Sequence, residues 1–250
     1  MDRLQLYRGD SLKLLENLSI KHPTLAEVVD LGFGKYENYI SILSMTTNSV
    51  ADILWFDMNI WFEDISTWDL ILSIWMNNNE LQNALKWFTG HTFNVVESKG
   101  VMYLCNEEQN VFIHKENFFT IVDFLKDINM IQKEWDKIDK ETEKYDLLSV
   151  AGNRQTKIII MSNMNRKRKN PKKEEKRIDL ASIVSSIDWK GCRGNEIWQY
   201  PIYRIYEGYM RLNTIDSYDK TLLGYYSGNI DTTKTKIDFD KINWSNIIKN

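Results

Sequence analysis

Proline is nearly absent from this chain, with 3 in 250 residues, and glycine is scarce at 11. So few breakers favour helices over a backbone cut up by turns. Cysteine is rarer still. Cys105 and Cys192 stand far apart, neither in a CxxC nor beside a histidine at metal-ligand spacing. A disulfide scaffold is therefore not indicated, and two reduced thiols in a cytoplasmic protein are expected. No charge of one sign dominates. The formal net charge is −3, so whole-chain electrostatics give no argument for nucleic acid. No apolar run approaches the ~20 residues of a membrane span. The opening MDRLQLYRGDSLKLLENL lacks the apolar stretch of a signal peptide.

Catalytic signatures are missing too. There is no GxSxG, phosphate loop, HExxH or GxGxxG. His22, His91 and His114 are scattered, and Gly9-Asp10-Ser11 reads as turn chemistry. Asp57, Glu63 and Asp64 have no histidine beside them to make a metal or acid–base set, and read as solvated charge. An enzyme is not expected, nor is a cofactor or a metal.

What the chain does have is aromatic mass. Trp55, Trp61, Trp68 and Trp75 recur at near-heptad spacing in ADILWFDMNIWFEDISTWDLILSIW, with Trp87 close behind. The favoured reading is packing in the core of a small helical bundle. A hydrophobic groove for a partner comes second, with Trp55, Trp61, Phe62, Trp68 and Trp75 as the candidate contact set. Base stacking comes last, because Asp52, Asp57, Glu63, Asp64 and Asp69 would repel phosphates.

The rest of the pattern predicts an α+β, mostly α fold. Leu25, Val28 and Val29 mark a short helix after Pro23 that stops at Gly32, and Tyr36, Tyr39, Ile40 and Leu43 stripe a second. Asn48 or Ser49, Ser66 or Thr67, and Asn78 or Asn79 are candidate caps for helices through Phe56, Trp75 and Phe88. Phe93 to His114 reads as a three-stranded β-meander with a Lys99-Gly100 turn. A helix opening at Glu116 or Asn117 follows, with Phe118, Ile121, Val122, Leu125 and Ile128 on one face. This outlines a helical domain over 1–130 with the meander at about 92–115.

Residues 131–177 read as a charged connector. The run RKRKNPKKEEKR within it is a solvated face or linker first, an acidic-partner patch second and a nucleic-acid patch third. Asn170-Pro171 also reads as the start of a helix that brings Ile178, Ala181, Ile183 and Val184 into a core. Residues 178–250 form a C-terminal helical unit. In it an aromatic-dense GNEIWQYPIYRIYEGYMRL is followed by a helix ending near Gly228, then by an extended tail that docks Trp244.

Three segments together carry a resemblance: LSIKHPTLAEVVDLGFGKYENYISILSMTTNSVADILWF, IWQYPIYRIYEGYMRL, and LLGYYSGNID before the terminal KINW. The arrangement resembles proteins encoded in the tail-morphogenesis modules of phages and prophages of low-GC Gram-positive bacteria. It runs over roughly residues 6–245 and is weakest in 130–177. The resemblance implies a tail assembly chaperone in the host cytoplasm, binding the helical tape-measure protein or other tail proteins and able to form a homo-oligomer. A structural component of the virion tail or neck is the alternative it implies, and a nucleic-acid-associated phage protein is a third class. It carries over no functional residue, because its motifs are of the packing kind.

Overall fold

The computed structural model describes residues 2–131, 153–169, 179–190, 194–228 and 237–243. The fold is α+β and mostly α, as the patterning predicts. It opens with α1 (Arg3–Arg8) and an antiparallel hairpin, β1 (Leu12–Leu15) and β2 (Leu18–Ile20). The sequence reading did not anticipate either element.

Local chemistry then sets the helix boundaries. Thr24 and Glu27 form a capping box at the start of α2 (Leu25–Leu31), and Gly32, at a φ of 91°, separates it from α3 (Phe33–Leu43). A 3-10 turn (Asn48–Val50) leads into α4 (Ala51–Phe56). The Ser66 side chain accepts from the Asp69 backbone N–H at the start of α5 (Thr67–Trp75), and Asn78 does the same for Leu81 in α6 (Asn79–Thr89). Gly90, in the left-handed region, closes α6.

The meander is β3 (Asn94–Ser98), β4 (Val101–Asn106) and β5 (Val111–Ile113), antiparallel and in that spatial order. Lys99 and Gly100 both have positive φ, which a two-residue hairpin loop of this hand requires. Leu104 and Ile113 pair across β4 and β5 and are fully buried against the helices. From there the chain enters α7 (Lys115–Asn129) one residue before the expected opening.

Past α7 the described chain is again helical. It comprises α8 (Arg154–Lys169), α9 (Leu180–Trp189), a 3-10 turn (Gly194–Gln199), α10 (Ile202–Tyr226) and α11 (Phe239–Ile242). Several expectations are corrected here. Residues 154–169, within the stretch read as a charged connector, are a helix, which that reading did not specify. α10 is one 25-residue helix that starts at Ile202 within the aromatic-dense stretch, well before the DSYDKTLLGYYSG segment where the helix was expected. The described piece of the tail is a helical turn rather than extended chain, and its Phe239 ring meets Tyr225 edge-on at 5.3 Å. Val29 and Ala181, assigned to apolar faces, are exposed. Trp244, Ile178, Asn170, Pro171 and Cys192 lie outside the described residues.

The main core joins both halves of the sequence. It runs from Leu25, Tyr36 and Leu43 through Trp75, Phe88, Phe118 and Leu125 to Ile183, Ile197, Ile202 and Ile205. A backbone clasp fixes the junction. Leu25 N–H donates to Tyr200 C=O, and Ile202 N–H donates to Pro23 C=O, each at 2.9 Å. Beside it the carboxylate of Glu207, 7% exposed, accepts from Arg3 at 2.7 Å and Arg211 at 3.0 Å. Two cations around one buried carboxylate tie α1 to α10 and spare that charge an unpaired burial.

Candidate interaction surface

The tryptophan series does not lie along one helix face. α4 ends at Phe56, α5 begins at Thr67, and Trp61 sits in the loop between, after Asn59 at a φ of 53°. Heptad spacing in sequence therefore becomes two separate sites in space. Trp68 and Trp75 belong to the main core, Trp68 tilted against Phe118 at 5.4 Å. The Trp75 indole N–H donates to Phe93 C=O at 3.0 Å, which satisfies its polar atom in a buried setting.

Trp55, Trp61 and Phe62 gather instead in a satellite cluster with Ala51, Leu54, Leu70 and Ile158. The Trp55 and Trp61 rings meet edge-on at 5.7 Å, and Phe62 lies 4.6 Å from Trp61. The Trp61 indole donates to Glu63 at 2.8 Å. The series is thus turned inward: Trp61, Phe62, Trp68 and Trp75 are buried and Trp55 is half-buried. Trp87 is half-buried as well, with the Lys21 ammonium 3.6 Å above its ring.

The same stretch also presents apolar side chains to solvent. On α4 and the turn after it, Ile53 is 46%, Phe56 69% and Met58 43% exposed. Ile53 and Phe56 are three residues apart on one helix and so share a face. The segment 51–64 carries Asp52, Asp57, Glu63 and Asp64 and no basic residue. The outward row is therefore apolar within an acidic segment. The tryptophans of this stretch are buried or half-buried, while Ile53, Phe56 and Met58 are its exposed apolar side chains. The signal that could have found them is the Ile53–Phe56 pair at helical spacing.

Elsewhere, α9 and α10 enclose a cleft of ≈ 280 Å³ bridged by a Lys190–Asp216 ion pair at 2.5 Å, with Trp189 at its edge. Among the described residues, no group of three His, Cys, Asp or Glu side chains is placed to hold a metal ion. No described helix is long and apolar enough to cross a membrane. His22 is buried beside the clasp, where desolvation pushes its imidazole down to about 4 against the opposing pull of Asp10. Burial likewise raises the Tyr36 and Tyr206 hydroxyls and the Asp127 carboxyl.

Residues 169–249 match the family model of the YomV second domain. The matched segment spans α9, α10 and α11, whose first half closes the main core. The match covers 81 of the 250 residues and suggests a phage-derived origin for that segment. No curated protein and no solved structure matches the chain.

Proposed function

We propose that this protein is a phage tail-morphogenesis factor that binds a helical segment of the tape-measure protein and acts as an assembly chaperone without covalent chemistry. The observation that carries the reading is the outward row of Ile53, Phe56 and Met58 within an acidic segment. Such a surface suits an amphipathic helix with basic flanks, laid with its apolar side against α4. Methionine and aromatic side chains give large contact area and adapt to more than one register. The match to a YomV-type domain supports the phage setting, and the resemblance to tail-module proteins supplies the partner.

The test is co-expression with a phage tape-measure protein. The expected result is a soluble complex that survives high salt, because screening weakens charge pairs and not apolar burial. If the two never co-purify and the chain is found at fixed copy number in finished virions, it is a structural component of the tail or neck instead.

A further inference from the structure

The satellite cluster is completed by a helix from far along the chain. α8 packs on α4 and on the 3-10 turn before it. Among the described side chains of α8 only Ile158 is buried, at 1% exposure, inserted among Ala51, Leu54, Trp61, Phe62 and Leu70. Its neighbour Ile159 is 59% exposed. Four residues before the anchor, Arg154 places its guanidinium 5.1 Å from the centre of the Trp61 ring and 3.7 Å from the Asp64 carboxylate.

α8 has no acidic residue and six basic ones, and it lies against a segment with four acids and no base. The fit is a helix seated in an apolar, acid-edged groove, with its cation and its branched anchor on one face. It is also a light fit. Among the described residues, one isoleucine of α8 is buried, the Arg154–Asp64 pair is solvent-exposed and weak, and the Asp52 Oδ1 atom on α4 is buried with no hydrogen-bond partner. An unmet buried acceptor on α4 is a local cost that the present packing does not offset.

We infer that this groove, floored by Leu54, Trp61 and Phe62, is a helix-binding site that α8 fills in the free chain as a place-holder and yields to the partner. This rests on the reading that the chain binds a helical tape-measure segment. It adds the recognition pattern: a basic residue four positions before a branched apolar one. The exposed Ile53–Phe56 row is the first point of contact. Release of α8 extends the contact onto the buried floor.

The probe is a fluorescein-labelled synthetic peptide of residues 153–169. The receiver is the full chain carrying Ile158→Glu, which unseats its own α8. The peptide is expected to bind this variant at least about tenfold tighter than wild type, where the tethered helix competes at high effective concentration. A peptide with the same composition in scrambled order is expected to bind neither. Equal binding to both chains, or binding to neither, overturns the inference.

Hydrogen exchange on the wild-type chain is a second readout that needs no variant. The α8 amides are expected to exchange at least about 100-fold faster than those of α7, as a lightly held local unit does. Equal protection overturns the place-holder role. Peptide binding without tape-measure co-purification keeps the groove and removes only the proposed partner.

Discussion

Gly9 and Pro201 meet so closely that a Cβ on Gly9 would stand 3.0 Å from two atoms of the proline ring. Gly9 also has a φ of 90°, in the region that L side chains rarely adopt. Sterics and backbone conformation thus coincide where the end of α1 touches the start of α10. Gly9→Ala is expected to cost about 1–3 kcal/mol through backbone strain alone, with the proline contact adding to it. In a chain of this size that lowers the melting temperature by about 2–4 °C per kcal/mol. A thermal melt that matches wild type would show that the two segments shift apart freely.

The same junction should respond to pH through His22. Its imidazole is depressed from 6.5 to about 4 in the folded chain. The unfolded chain therefore takes up the proton first as pH falls. The stability tied to a neutral His22 is fully present above about pH 6.5 and is lost progressively as pH drops toward about 4. The loss between about pH 7.5 and about pH 5 is on the order of 2 kcal/mol. His22→Gln keeps an acceptor for the Tyr203 backbone N–H, which His22 Nε2 meets at 3.4 Å, and removes the titration. Urea midpoints at the two pH values should converge in that variant. An undiminished loss would assign the pH dependence elsewhere. Asp10, Asp179 and Asp216, all held below the usual carboxylate range by hydrogen bonds, act only at lower pH.

The two tryptophan sites should separate by mutation. Trp68→Ala opens a cavity in the main core and is expected to cost about 3–5 kcal/mol. Trp61→Ala strikes the satellite cluster, so its larger effect should be local. The main transition should fall less than in Trp68→Ala, while the amides of α8 lose protection against hydrogen exchange. Calorimetry together with exchange checks both. Equal losses of melting temperature would mean that the satellite and the main core unfold as one unit.

Elements with strong local chemistry were legible in the sequence. Thr24, Ser66 and Asn78 cap the helices that follow them, and Lys99-Gly100 turns the meander. Elements without such chemistry were not. The β1–β2 hairpin pairs strands of four and three residues, too short for alternation to show. α8 carries its apolar residues as the block Ile158, Ile159, Ile160, Met161 rather than at helical spacing, and nothing in that pattern distinguishes the buried isoleucine from its exposed neighbour. α10 passes through Asn213, Thr214, Asp216 and Ser217, which resemble a break, but no proline or glycine among them enforces one. At the candidate surface, tryptophan spacing singled out the aromatic segment as one to inspect. The direction of each ring was not readable, because the series crosses a helix end, a loop and a second helix.

The surface row gives the most direct functional outcome. Ile53 and Phe56 contribute little to folding, being about half and two-thirds exposed. The double variant Ile53→Ser, Phe56→Ser is therefore expected to fold with a melting temperature close to wild type. If the row is the docking face, tape-measure co-purification should fall by at least about tenfold, since truncating one or two central anchors removes most of an interface's binding energy. Asp57→Asn, which changes only the acidic surroundings, should slow association and weaken its salt dependence with a smaller effect on the complex once formed. The discriminating result is a double variant that folds normally and co-purifies as well as wild type. That outcome would detach α4 from the interaction and leave the row as ordinary exposed apolar surface.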